Sequence, residues 1–322
     1  MNQNKSKIDN KGNIIMKKRL AYDYKFENLT GYDFRSKVRE FLDNGATKFV
    51  IKSTLLKQMI EDKERIKFIR KVCNDMEVEF SSVHGLDGKF FDMNIPEPDQ
   101  RKIMLESHKK AMAVASDFGC KTYTVHVGAH HYCNEKISLD ILRPLALESL
   151  EKLLPIAEKL GIIIAVENSF EKPNSAKEVL GLVTPFLSSP AIGVCYDTGH
   201  AHCMESMPGR DMNKYECYFP ICWYEEGVIL EDNALDKLKE HVVTCHIHDN
   251  NGYGDYHAMP FDGNINWREL MPKLFSCPRM VDFQTEVEFG EGENWAGKLL
   301  SPPGGYSIRR LVDTFRILGL QS

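Results

Sequence analysis

Residues 162–202 read IIIAVENSFEKPNSAKEVLGLVTPFLSSPAIGVCYDTGHAH. Two short apolar runs, Ile162–Glu167 and Ile192–Asp197, flank a helical pattern over 175–187, and each run ends on a carboxylate. Runs this short and this rich in β-branched residues read as strands buried on both faces. Strands of that kind alternating with helices lie parallel, joined by right-handed crossovers. A carboxylate at the exit of such a strand is costly to bury without a partner, so it signals chemistry as well as structure.

The same unit repeats outward in both directions. Strand-like runs occur at Arg19–Tyr24, Lys48–Ile51, Val78–His84, Thr122–Val127, Val242–His248 and Val281–Val287. Helical patterns fill 33–44, 62–75, 98–118, 138–160, 232–240, 267–275 and 307–317. Eight strands alternating with eight helices predict an α/β fold, a (β/α)8 TIM barrel, for which a chain of 322 residues is a normal length. A doubly wound open sheet fits less well, because the first strand runs into KFENLTGYD rather than a Gly-rich phosphate turn. We read a single domain over 16–322, preceded by a flexible polar tail over 1–15, with a long loop after the sixth strand. That loop and the Gly- and Pro-rich FGEGENWAGKLLSPPGGYS near the C-terminus both emerge on the face where barrels keep their sites.

Composition narrows the function classes. Hydrophobic residues make up 43% and charged residues 27%, the balance of a soluble globular chain. A net charge of -5 offers no general attraction to nucleic acid or anionic membrane. The polar N-terminus has no apolar core of a signal peptide, and no run is long enough to span a bilayer, so no membrane association is expected. Nine cysteines, odd in number and without a CxxC pair, argue against a disulfide scaffold and for a cytoplasmic location.

Ionisable residues gather at the strand exits. His84 ends the third strand, His126 lies in the fourth, Glu167 ends the fifth and Asp197 the sixth; His246 and His248 close the seventh, and Glu286 lies near the end of the eighth. Taken singly, His126 reads as a core histidine, Asp197 as a helix cap and Glu167 as a turn residue. Six successive strands doing the same thing is not what core packing produces. His, Asp and Glu without thiolates suit Mn, Co, Mg or Zn. His130, His131 and Cys133 lack partners at zinc-finger spacing and are read as structural or solvent-exposed.

The segments VHGLDG, YTVHVGAH, IIIAVENSF, IGVCYDTGHAH, VTCHIHDNNGYGDYHAMPFDGNINW and VDFQTEVEF together resemble the xylose-isomerase-like TIM-barrel superfamily, which includes sugar isomerases, sugar 3-epimerases and endonuclease IV. The resemblance implies one divalent cation held by Glu167, Asp197, His246 and Glu286, with Glu167 and Glu286 also catalytic. The endonuclease branch would recruit His84, His126, His200, Asp255 and His257 as further metal or substrate ligands, and all five residue types are present. One departure is Phe261, where the sugar-enzyme pattern usually has a glycine.

The favoured activity is therefore a metal-dependent isomerase or epimerase acting on a sugar or sugar phosphate, with His200, His248 and Trp223 as substrate contacts. Alternatives are a zinc-dependent abasic-site nuclease and a barrel lyase acting on oxidised sugars or glycosides. The stretch 201–240, richer in Asp and Glu than in Lys and Arg, disfavours a polyanionic duplex, so the expected partner is a small carbohydrate rather than nucleic acid, with homo-oligomerisation left open. The aromatic-rich part of that stretch, with Tyr215, Tyr218, Phe219, Trp223 and Tyr224, is expected to form a lid, a subunit contact or a satellite core.

Overall fold

A computed structural model describes residues 7–8, 14–15, 19–214, 218–289 and 305–322. Eight parallel strands form its centre: β1 (Leu20–Ala21), β2 (Lys48–Ile51), β3 (Glu79–Val83), β4 (Thr122–Val125), β5 (Ile163–Glu167), β6 (Ile192–Asp197), β7 (Val242–Ile247) and β8 (Asp282–Thr285). Strands β4 to β8 and β1 make one continuous sheet, and β2 pairs with β3. Two single bridges, Tyr22 with Phe49 and His84 with Thr124, join these two sheets into a ring. The eight strands are those expected, trimmed at their ends. The most trimmed is the first, where ladder pairing covers only two residues.

Outside the ring lie α1 (Gly31–Asp43), α2 (Lys63–Met76), α3 (Pro98–Asp117), α4 (Leu139–Leu160), α5 (Ala176–Val183), α6 (Ala234–Leu238), α7 (Trp267–Phe275) and α8 (Ile308–Ile317). Local signals set their ends. Ser138 accepts from Asp140 N at the start of α4, and Gly161 with φ 65° closes it. Phe26, Phe34, Phe41, Phe49, Phe80 and Phe315 are fully buried between the first strands and their helices.

Four short helices add to the expected set, at Ser53–Glu61, His130–Cys133, Thr198–Met204 and Tyr218–Ile221. The Lys7–Ile8 and Ile14–Ile15 segments pair antiparallel within the stretch read as a tail. The proposed boundary at residue 16, Tyr215 and most of the Gly- and Pro-rich segment at 289–307 lie outside the described residues. Among the described residues no helix is long and apolar enough to cross a membrane.

The period of two along each strand decides what lines the barrel. Ser82, Thr122 and Thr244 donate their hydroxyls to the buried Asp282 carboxylate inside the barrel, at 2.7, 3.3 and 2.6 Å. Two and four residues further along the same strands stand His84, then Thr124 and His126, then His246 and His248, then Gln284 and Glu286. Register does the rest: Asp197 pairs with His246, and Glu167 with Cys195. The polar strand ends thus converge at one mouth.

Candidate metal centre

At that mouth Glu167, Asp197, His246 and Glu286 offer ligand atoms that all lie within 4.8 Å of one another. Glu167 Oε1 and Glu286 Oε2 bracket His246 Nδ1, at 3.0 and 3.1 Å. Asp197 Oδ2 is 4.0 Å from the same nitrogen. Asp197 has a second task, since its Oδ1 accepts from His200 N at 2.6 Å and caps the Thr198–Met204 helix. The cap and the ligand readings of this residue are compatible because a carboxylate has two oxygens.

Further candidates close around this group. His126 Nε2 is 2.9 Å and His84 Nε2 3.8 Å from Glu167 Oε2. His200, His248, Asp255 and His257 form an adjoining cluster, again within 4.8 Å. His200 and His257 approach Asp255 Oδ2 through Nε2, at 3.3 and 3.0 Å, and His248 Nε2 stands 3.0 Å from both Asp197 oxygens. Every histidine, aspartate and glutamate named from the sequence as ligand or catalytic residue is therefore in one contiguous group.

The imidazole tautomers test whether a cation fits. Nδ1 of His84, His200 and His257 faces the carbonyls of Gly85, Asn168 and Glu286, at 3.1, 3.0 and 2.8 Å. A carbonyl only accepts, so Nδ1 carries the proton and Nε2 presents a lone pair. Each of these lone pairs points at a carboxylate oxygen, which also only accepts. Such a pair is satisfied by a proton or by a cation, and imidazoles oriented through the other nitrogen are characteristic of metal ligands. Glu286 Oε2 is buried and its 3.1 Å approach to His246 Nδ1 lacks hydrogen-bond geometry, which adds a second observation in the same direction. The residues fit a divalent cation.

Protons take that role when no cation is bound. Burial opposes a charged His126, but Glu167 outweighs it and pushes the imidazole up to about 9. For His257, burial is likewise overcome by Asp255, raising it to about 10. His84 behaves differently, since burial and the neighbouring His126 push it down. Burial works against ionisation of Glu167 and Glu286, yet the facing His246 holds both carboxyls well below the usual range.

Close packing fixes the ring positions. A Cβ on Gly199 would lie 2.0 Å from His248 Cε1, so only glycine lets this ring stack on His257, at 4.1 Å and 11°. Asn168 clamps the β6 exit, donating to Asp197 O and accepting from Asp197 N. In the seventh loop Asp249 accepts from Trp267 Nε1 at 2.7 Å and from the amides of Phe261 and Ile265. Phe261 has φ 79°, the left-handed conformation that glycine favours, so the loop keeps that backbone shape with a costlier residue.

Sequence reasoning missed Asp23 and Lys52 on the same mouth, whereas the period of two puts Glu288 on the face of Glu286. Asp23, Lys52 and Glu288 follow β1, β2 and β8, and Lys52 Nζ lies 2.9 Å from Asp23 Oδ2 and 3.8 Å from Glu288 Oε1. The period of two from Ala21 and Val50 would have found Asp23 and Lys52. Trp223, expected to touch substrate, is not brought to the centre: it is buried and donates Nε1 to Phe170 O at 2.8 Å. It belongs to a second apolar cluster with Tyr132, Cys133, Phe170, Met204, Phe219 and Cys222. Phe170 links that cluster to the centre, packing edge-on against His200 at 5.5 Å. His131, read from the sequence as structural or solvent-exposed, is buried and pairs with Glu135 at 3.0 Å.

Comparison with known proteins follows the fold. The family described as xylose isomerase-like TIM barrel matches residues 49–281. An uncharacterized protein of Methanocaldococcus jannaschii is 28% identical over 225 residues, 66% of this chain and 65% of that protein, a little under two thirds of its length. An uncharacterized protein of Sinorhizobium fredii is 25% identical, with 72% of each chain covered. Among solved structures, L-ribulose 3-epimerase has TM-score 0.68 at 14% identity, covering 94% of this chain and 93% of that one. D-Psicose 3-epimerase from Clostridium cellulolyticum H10, solved with D-tagatose, has TM-score 0.67 at 14% identity, covering 95% and 100%. The zinc-bound IOLI protein has TM-score 0.60 at 14% identity, covering 94% and 96%. At such identities these structures speak for the fold alone.

Proposed function

The chain belongs to the xylose isomerase-like TIM-barrel family, and we propose that it is a divalent-cation-dependent isomerase or epimerase of a sugar or sugar phosphate. The observation that carries this reading is the pair of carboxylates, buried Glu167 and half-buried Glu286, that both approach His246 Nδ1, at 3.0 and 3.1 Å. They come from β5 and from the end of β8, so a substrate lying over His246 meets one carboxylate on each side.

Glu167, Asp197, His246 and Glu286 would hold the cation, which supplies a Lewis acid for a ketose carbonyl and its neighbouring hydroxyl. Glu167 and Glu286 would take a carbon-bound proton on one side and return it on the other. His200, with Nδ1 fixed on Asn168 O, turns Nε2 toward Asp255 and is placed to accept from a substrate hydroxyl. The acidic stretch 201–240 supports a small molecule over a polyanionic nucleic acid. That several of the solved structures similar in fold are 3-epimerases or a 3-epimerase-like protein is in keeping with the choice.

One observation favours a second reading. Four carboxylates (Glu167, Asp197, Asp255, Glu286) and six imidazoles (His84, His126, His200, His246, His248, His257) are more than one cation needs. A multi-cation centre acting on a phosphodiester would use them all. The deciding experiment is incubation of metal-reconstituted protein with a panel of ketoses, D-tagatose and D-psicose among them, in heavy water. Deuterium on the carbon beside the carbonyl is the expected result. Cleavage of an abasic duplex with no exchange into any ketose would overturn it.

A further inference from the structure

Two thiols outside the centre face each other across two separate parts of the chain. Cys133 ends the short His130–Cys133 helix after β4, and Cys222 lies in the long excursion after β6. Both are buried in the same apolar cluster, with the Cys222 thiol the nearest influence on that of Cys133. Contacts on both sides hold the two backbones together. The neighbouring rings of Tyr132 and Tyr224 are 4.7 Å apart, and Tyr132 donates to Glu225 at 3.2 Å. On the other side Lys136 Nζ donates both to Cys133 O, at 2.6 Å, and to Ile221 O, at 3.3 Å. A pair bracketed in this way has little freedom to separate, so only a small backbone adjustment is needed to bring the two sulfurs into bonding geometry.

We propose that Cys133 and Cys222 form a reversible disulfide, closed by a small disulfide oxidant such as oxidised glutathione, that clasps the excursion after β6 to the barrel mouth. Cys222 is the residue next to the exposed Ile221 and is the one an oxidant meets first. Its thiolate attacks one glutathione sulfur, breaking that S–S bond and releasing one glutathione, which takes up a proton. The Cys133 thiolate then displaces the second glutathione from Cys222. The two cysteines lose two electrons and two protons in all, and both pass to the two reduced glutathione molecules.

The reduced pair is quiet. The neighbouring Cys222 thiol, together with burial, pushes the Cys133 thiol far up, so the reaction proceeds through local openings of the segment. The ends of the excursion are already anchored. Glu231 accepts from the amides of Ala176 and Lys177, and Asp232 from that of Ser206. The clasp fixes its middle, directly beside the Trp223–Phe170 contact that reaches His200. It is independent of which substrate the centre turns over.

The test uses the full chain equilibrated in glutathione buffers of increasing oxidised fraction, then alkylated, weighed intact and mapped by peptide. Wild type should carry two fewer alkyl groups than the fully reduced protein and yield one cross-linked peptide joining Cys133 to Cys222. Closing a loop of on the order of 90 residues should raise its Tm by several degrees, reversed by reductant. Cys222→Ser should show neither change, while Cys133→Ser should retain a glutathione adduct on Cys222. Wild type with both thiols still alkylated under full oxidation, or a cross-link from Cys203 or Cys217 instead, overturns the proposal.

Discussion

Replacing Trp223 by Ala separates the three roles open to the excursion after β6. Trp223 is 3% exposed, lies among Phe170, Phe219 and Met204, and uses its only donor on Phe170 O. Truncating a buried Trp costs about 3–5 kcal/mol, and here it also strips the Phe170 carbonyl of its donor. Spread over a chain of 322 residues, with an unfolding entropy of roughly 2.1 cal/mol/K per residue, that loss lowers Tm by about 4–7 °C. Where the second cluster opens as its own unit, the same loss appears as faster amide exchange over 204–230 with a smaller change in Tm. Calorimetry and hydrogen exchange together read both. The structure places Trp223 in a satellite core, so stability should fall while mass in solution stays constant, and turnover should suffer only through Phe170 and His200. A variant with unchanged Tm and unchanged exchange, but a large rise in KM, would refute this and return Trp223 to the substrate.

Other outcomes follow from the same coordinates. Stripped of metal, the protein should lose stability as pH rises. His126 and His257, raised to about 9 and about 10 by facing carboxylates, contribute fully below their unfolded value near 6.5 and lose that contribution through pH 9–10. Thermal melts with and without added Mn or Zn should diverge over this window, and identical curves would argue against a cation replacing the protons. Gly199→Ala drives a methyl into His248, so it should weaken metal retention by about 10-fold or more, measured by chelator competition, as disturbing the groups that orient ligands does elsewhere. Phe261→Gly relieves a left-handed conformation at an exposed side chain and should raise stability by on the order of 1 kcal/mol, read as a small rise in Tm, without altering metal content.

How much of this was legible beforehand depends on the kind of signal each residue leaves. The eight strands were readable because strands buried on both faces are continuous apolar runs, and their exits were readable because a charge after such a run is conspicuous. Glu167 and Asp197 stand out in this way. Asp23 and Lys52 follow shorter runs and sit among other charges, so the sequence makes them look solvated, although the period of two sends them into the mouth. The Thr198–Met204 helix was hidden for a different reason. It is seven residues long and buried on every side, so it shows no amphipathic period; its one local signal is the Asp197 cap, which also reads as a ligand.

Aromatic density in the excursion after β6 announced a need for burial but not what would provide it. That answer lies in Tyr132, Leu139 and Phe170, far away in sequence and unremarkable alone. Phe261 shows the opposite limit. A residue type that argues against a glycine turn is overruled by Asp249, whose carboxylate gathers the amides of Phe261 and Ile265 and the indole of Trp267. Three hydrogen bonds to one buried carboxylate outweigh about 1–2 kcal/mol of backbone strain, since bonds to a charged group each contribute about that much or more. The loop that carries Asp255 and His257 is thus held by Asp249 rather than by its turn residue. Exchanging Phe261 should therefore leave the centre intact, whereas Asp249→Ala should scatter Asp255 and His257 together.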